Sequence, residues 1–328
     1  MNQFGHLFKV NLYGASHQDV IGVMIDGVPV GLKIDAQEME DFLARRKPTS
    51  KSETARREED RPIIKCGLFN GLTDGTPLVI EFKNNDTHSS DYNEFVNHPR
   101  PSHVDLVAKD KYHGFNDYRG SGAFSGRLTA ALCAAGYVAK KVANFDYSSE
   151  IVQCGDLEDL SKLDQYLEQV KSEGDSVGGV LKVVVKNVNK SLGEPYFYSA
   201  ESAISQILFS IGSVKGVSFG AGFEGVGLKG SQFNDLIINK DGKTATNNAG
   251  GINGGITNGN DLVVNVFVRP ISSIAKTQET YDFESDMIKP LTIKGRHDAS
   301  IIKRVGVVLE SAVAIALADL VLLNKVYF

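Results

Sequence analysis

Residues 70–82, NGLTDGTPLVIEF, and residues 254–268, GGITNGNDLVVNVFV, are two spellings of one pattern: Gly, Leu or Ile, Thr, Asp or Asn, Gly, two residues, then Leu-Val. Each reads as a tight turn feeding a β-strand. Gly with Asn or Asp tolerates the backbone of a turn, and the β-branched run that follows suits a pleated surface. Working outward, the flanking elements repeat in the same order. Before the first copy, IGVMIDGVPVGLKID (21–35) suggests strands and a turn. A helix follows, with Asp35 and Glu38 spaced as a capping box and Met39, Phe42 and Leu43 on one face. Before the second copy, GGVLKVVVKNV (178–188) is a strand and SAESAISQILFSI (199–211) an apolar-striped helix. Each half closes on a long apolar helix, about Ser125 to Val142 and about Ala299 to Leu323. A period of about 170 residues is too long for a solenoid. Two fused halves, about 1–145 and 176–328, forming one α/β (α+β) layered domain over residues 1–328, account for the order. The polar stretch Asn144 to Asp175 is expected to be a surface connection, with a helix in LEDLSKLDQYLEQV.

The 328 residues carry 42% hydrophobic and 23% charged side chains, ordinary globular values. A net charge of −5 gives no general affinity for nucleic acid, so an anionic ligand must be held by a local basic pocket. Cys66, Cys133 and Cys154 have no paired spacing, which points to a reducing cytoplasm. The opening MNQFGHLFKVNLYG lacks the pattern of a signal peptide. The apolar segment Val305 to Leu323 is interrupted by Glu310 and Asp319 and reads as a buried helix rather than a membrane span.

Chemistry-bearing residues gather in the loops. GASHQD places His17 after a strand and turn, and RPSHVD places His103 beside Arg100 and Pro101. Either histidine is a surface residue or a proton donor near neutral pH. RRKPTSKSETARREED bunches Arg45, Arg46, Lys47, Arg56 and Arg57, with Glu58, Glu59 and Asp60 as partners for some of them. Such a run is a solvated face or a site for phosphate and carboxylate groups. DYRGSGAFSGRLT is a Gly-rich loop entering a helix near Ser125, with Arg119 and Arg127 beside the helix start, an arrangement open to anions. NNAGGINGGITNG permits close approach by a flat ligand or another backbone. Gly220, Gly222 and Gly225 form a GxGxxG, but no helix follows, so a dinucleotide-binding unit is rejected. In GRHDAS, Asp298 is placed as a helix cap or a base.

In order, these pieces resemble the chorismate synthase family from end to end: GASHQ, GVMIDGVPVGL, RRKP with TARREED, FNGLTDGTPLVIEFKNND, RPSHVD, DYRGSG, GFEGVGLKGSQFND, NNAGGINGGITNG, SSIAKTQ and GRHD. The resemblance implies a β-α-β sandwich with pseudo-twofold duplication, usually a homotetramer. It implies loss of phosphate and a ring proton from 5-enolpyruvylshikimate 3-phosphate to give chorismate, with reduced FMN required and no net redox change. Carried over by motif, His17 protonates the departing phosphate, His103 keeps the flavin in its protonation state, and Asp298 acts with the flavin in removing the ring proton. Arg45, Arg46, Arg127 and Arg296 hold the substrate anion. Ser125, Asn248, Ala249, Gly250, Lys276 and Gln278 lie near the flavin. No NAD(P)H-binding segment is evident, so an external flavin reductase is expected to supply reduced cofactor.

The motifs also depart from the family. Ala15 stands for a glutamate, Gln18 and Ser102 for glycines, Ala123 for an arginine and Leu128 for a glutamate, and the loop after Pro48 is shorter. Two readings follow: a lyase with a modified phosphate pocket, or a relative that binds flavin or a related anion without this turnover.

Overall fold

In the computed structural model, which describes residues 2–50, 53, 58–85, 89–295 and 297–327, the two quoted strands occupy matching places. The first half runs β1 (Gln3–Phe4), β2 (Lys9–Gly14), β3 (Val20–Asp26), α1 (Ala36–Ala44), β4 (Ile63–Cys66), the small hairpin β5 (Leu68–Phe69) and β6 (Leu72–Thr73), and β7 (Leu78–Lys83). A loop-rich stretch holding α2 (Asp105–Lys111) then leads to α3 (Thr129–Ala143). The second half runs β8 (Asp146–Cys154), α4 (Leu163–Ser172), β9 (Gly179–Lys186), α5 (Ala200–Ser210), β10 (Val214–Phe219) and α6 (Gly230–Phe233). It continues through the hairpin β11 (Ile252–Asn253) and β12 (Ile256–Thr257), β13 (Leu262–Val268), a second hairpin of β14 (Gln278–Asp282) and β15 (Met287–Leu291), and α7 (Ile302–Tyr327).

The two main sheets have the orders β1-β2-β3-β7-β4 and β10-β13-β9-β8, antiparallel throughout. Thus β7 lies between β3 and β4 as β13 lies between β9 and β10, each preceded by its two-stranded hairpin. Alternation decides what is buried: Leu78, Ile80 and Phe82 on β7, and Leu262, Val264 and Val266 on β13, are all inaccessible. Helices α3 and α7 pack on each other between the sheets, α3 against β3 and β7, α7 against β8 and β9. The result is a β-α-β sandwich with internal duplication and a core shared by both halves. Gly136 on α3 lets the helices meet, since a Cβ there would lie 2.2 Å from the Cβ of Ser311 on α7. Helix α7 is long and apolar enough to cross a membrane, but 94% of its most apolar window is buried inside the protein.

Two expectations are corrected. The stretch Asn144 to Asp175 is more than a connection: it contains β8, an edge strand of the second sheet, so that sheet begins at Asp146. DYSSEIVQC hides this because serines and charges alternate with its few apolar residues. The capping box is also one-sided. Asp35 accepts the Gln37 and Glu38 amides, but the Glu38 carboxylate turns to Tyr137 and Lys141 on α3.

Candidate active site

A cleft of about 820 Å³ opens where the two halves meet at the start of α3 and α7. Leu132, Ile207, Val305 and Val308 form its apolar side. Its polar side includes Arg46, Lys47 and Asp60 after α1, His103 before α2, Ser121, Ser125 and Arg127 before α3, Arg269, Ser272 and Ser273 after β13, and Asp298 with Arg304 at the start of α7. That size and mixture suit a small-molecule or cofactor site.

The turn before α3 organises the histidines. Gly120, Ser121 and Gly122 all have positive φ (53°, 69° and 54°), folding the chain back on itself. Ser16 holds this turn: its amide donates to Gly122 O (3.2 Å) and its hydroxyl to Gly120 O (2.9 Å). With that proton on a carbonyl, Ser16 Oγ can accept from His17 Nδ1 at 3.0 Å. The His17 ring lies edge-on to Tyr92, with centroids 5.1 Å apart. A Cβ at Gly120 would come within 2.3 Å of His17 Cε1, so glycine is required there. His17 lies next to the turn but is not part of the cleft wall.

His103 is on that wall. Its Nδ1 is 2.7 Å from Asp105 Oδ1 and its Nε2 is 3.2 Å from Ser121 Oγ. Asp105 also receives two bonds of 2.8 Å from Arg100. Arg100 in turn donates to Ser273 Oγ at 3.1 Å and lies 4.4 Å over the Phe95 ring. Ser102, standing where a glycine was noted for the family, has φ 56°, a backbone state that disfavours a side chain.

The arginines divide. Arg46 donates to Asp60 Oδ2 (2.5 Å) and Thr129 Oγ1 (2.9 Å). Arg127 donates to Asp60 Oδ1, Asn84 Oδ1 (3.0 Å) and Lys83 O (3.1 Å). Asp60 therefore pairs with Arg46 of its own run, as the sequence suggests, and with Arg127 from the turn before α3. Arg45 turns away from the cleft into a fork-to-fork pair with Glu310 (2.5 and 2.9 Å), where Lys140 (2.7 Å) and Ser149 (2.8 Å) join it. It is expected among the residues that hold the substrate anion, but it does not line the cleft, and both arms of its guanidinium are engaged by Glu310. Arg296 lies outside the described residues, as do Arg56 and Arg57.

Ser125 lines the cleft and caps the short turn into α3, accepting the Arg127 amide at 3.3 Å. Asn248, Ala249 and Gly250 do not reach the cleft of this chain. The first two are fixed by Asp235, and Gly250 sits at the Leu262 end of β13, opposite the cleft. Lys276 pairs with Asp175 at 2.7 Å, and Gln278 starts β14; neither lines the cleft. Asp298 does line it and is ion-paired to Arg304, while Ser300 Oγ accepts the Ile302 amide. Sequence reading passed over Arg269, Ser273 and Arg304, which sit in plain surroundings, and over Asp105, whose spacing from His103 was a usable signal. Ala123 and Leu128, two of the departures, are on the cleft wall; Ala15 and Gln18 are not.

A cationic cleft carrying an oriented histidine and a long apolar side is the site of an enzyme that works on an anionic small molecule. The family model described as chorismate synthase matches residues 8–322. Proteins named chorismate synthase from Chitinophaga pinensis and Archaeoglobus fulgidus are 48% and 41% identical over 325 and 354 aligned residues, covering 99% of this chain and 98% of each relative. One from Pyrococcus abyssi is 39% identical over 98% of both chains. A crystal structure of chorismate synthase superposes with a TM-score of 0.74 at 26% identity, covering 98% of this chain and 93% of that one.

The chain belongs to the chorismate synthase family. It is a carbon–oxygen lyase that removes phosphate from 5-enolpyruvylshikimate 3-phosphate to give chorismate on the route to aromatic amino acids. The reading as a relative without turnover is not favoured.

Proposed function

We propose that the cleft binds reduced FMN beside the substrate and that the residues gathered around it carry the elimination. The observation that supports this most directly is the cleft itself, large enough for two small molecules, apolar on one side and cationic on the other. Its donors fit anionic oxygens. Arg46 lines the cleft beside Lys47, and its Nε has no hydrogen-bond partner among the described residues. Among the described residues Arg269 donates to the backbone carbonyls of Ser102 and Pro270.

When bound, reduced flavin supplies electron density toward the allylic centre as phosphate leaves. The protein's part is binding and proton handling. Arg46, Lys47 and Arg269 hold phosphate and carboxylate groups, Arg127 fixes Asp60 and so aims Arg46, and Ser125 offers a hydroxyl to the cofactor. His17, beside the turn at Gly120 rather than on the cleft wall, would give a proton to the departing phosphate, His103 would keep a proton at the cofactor, and Asp298 would act with the cofactor in removing the ring proton, with Arg296 beside it in sequence. Asn248 to Gly250, Lys276 and Gln278 would meet flavin only from another copy of the chain. A homotetramer fits the exposed Phe197, Val226 and Phe223, 95%, 86% and 82% accessible in the single chain. A cytoplasmic setting and an external flavin reductase complete the reading, with residues 1–328 acting as one unit.

The test is anaerobic turnover of the purified protein with chemically reduced FMN, following chorismate absorbance and phosphate release. His17→Ala and His103→Ala should each lower turnover by about a hundredfold or more. Full activity in both variants would remove the proton-handling roles while leaving the family intact.

A further inference from the structure

We propose that Asp105 is the positioning residue for His103: it fixes the ring with Nδ1–H on its carboxylate and Nε2 facing Ser121 and the cleft. This rests on the reading of His103 as a proton-handling group. Asp105 is the first residue of α2, and its side chain is only 7% exposed. Neither of its oxygens can turn away. Oδ1 takes His103 Nδ1 (2.7 Å) and Arg100 Nη2 (2.8 Å), while Oδ2 takes Arg100 Nε (2.8 Å) and the Arg100 amide (3.2 Å). Burial alone would raise this carboxyl, but the bonds from Arg100 and His103 hold it well below the usual range. An ionised carboxylate only accepts, so Nδ1 must carry hydrogen, and in the neutral ring Nε2 keeps its lone pair. That lone pair lies 3.2 Å from Ser121 Oγ on the cleft wall.

The charges on the surrounding elements are accounted for. Arg100 and Asp105 pair within the histidine's own segment, Arg119 pairs with Asp117 in the turn, and Asp298 pairs with Arg304 across the cleft. Arg269 reaches Ser102 O at 3.2 Å. Asp105 is therefore the carboxylate in direct contact with the ring, and its removal leaves His103 facing cations.

The experiment uses the full chain. Nitrogen-15 shifts of the His103 ring give its tautomer in the wild type, in Asp105→Asn and in Asp105→Glu, and anaerobic turnover gives kcat and KM for each. The wild-type ring should carry hydrogen on Nδ1, because a carboxylate only accepts. In Asp105→Asn the amide can donate as well as accept, so that preference should be lost, and kcat should fall more than KM rises. Asp105→Glu should recover part of the preference and of kcat, which a merely structural role would not. An unchanged tautomer in folded Asp105→Asn would overturn the proposal. Should that variant fail to fold, the wild-type ring decides: hydrogen on Nδ1 supports it, and hydrogen on Nε2 alone overturns it. A changed tautomer with unmoved kcat would uphold the positioning role and remove the catalytic role of His103.

Discussion

Arg45 and Arg46 are neighbours in the chain, yet they serve opposite parts of the molecule. Arg45 leaves the end of α1 toward the core and closes a cluster around Glu310, a fully buried carboxylate on α7 whose other contacts are Lys140 and Ser149. Arg46 leaves the same helix toward the cleft and shares Asp60 with Arg127. The Glu310 cluster is closed on itself: both of its oxygens are taken, and Lys140 lies 4.8 Å over the rings of both Phe42 and Tyr147. The Asp60 cluster is open on one side, with Arg46 and Asp60 both on the cleft wall. One cluster ties layers together; the other holds charge ready for a ligand. Identical residue types diverge here because a one-residue step along a helix end turns a side chain by about 100°.

Asp60→Ala should have the largest effect on this contrast. It strips the partner from Arg127, whose side chain is 4% exposed, and from Arg46, at 11%. Neither cation can rehydrate without moving, so a stability loss of about 3–5 kcal/mol is expected, together with loss of turnover. Chemical denaturation and the anaerobic assay read the two effects separately. A stable variant with normal KM would mean that Asp60 neither holds nor aims the two arginines.

Glu310→Gln comes next. Arg45 is 46% exposed and can regain water, so the expected loss is nearer the lower end, about 3 kcal/mol. Turnover by the folded fraction should be unchanged. Burial alone would raise the Glu310 carboxyl, but the contacts from Arg45 and Lys140 hold it below its ordinary value. Its contribution is thus complete above about pH 4.3, the unfolded value, and fades as pH falls through the lower folded value. Wild-type stability should fall with acid along that limb, and the variant should lack it. An identical acid limb in both proteins would place the titration elsewhere.

Much of this was legible beforehand, for reasons the elements make plain. The echo between residues 70–82 and 254–268 survived because each strand buries one face and each turn needs its glycines, so pattern and structure are one constraint. β8 was not legible because an edge strand with one inward face can carry serine and glutamate between its apolar residues. His103, Arg46, Arg127, Ser125 and Asp298 stand in the quoted motifs, and all five line the cleft. That Arg45 points to Glu310 was not legible, because spacing cannot tell which way a side chain leaves the last turn of a helix. Arg269 and Ser273 were missed because they follow a buried strand, and only folding brings that end beside the turn at Ser121.

Arg46→Ala and Arg45→Ala sharpen the contrast with a smaller effect. Losing Arg46 should raise substrate KM about thirtyfold, equivalent to about 2 kcal/mol, because an anionic oxygen is left without its donor. Arg45→Ala should lower stability and leave KM within about twofold. Equal KM effects would mean that Arg45 reaches the ligand after all and that its pair with Glu310 opens on binding.

Lys140→Met should have the smallest effect, although it removes a charge 2.7 Å from Glu310. The two ends of this contact pull in different directions. Glu310 is held down partly by Lys140, yet burial pushes Lys140 itself below its ordinary value, against the pull of Glu310. A cation in that position is worse off than in water, so Arg45 supplies most of the favourable pairing. Methionine keeps the unbranched stem against Phe42 and Tyr147 and removes the desolvated charge. Denaturation midpoints should therefore move by less than about 1 kcal/mol. A loss as large as that of Glu310→Gln would show instead that Arg45, Lys140 and Glu310 act as one unit, and that the closed cluster depends on both cations equally.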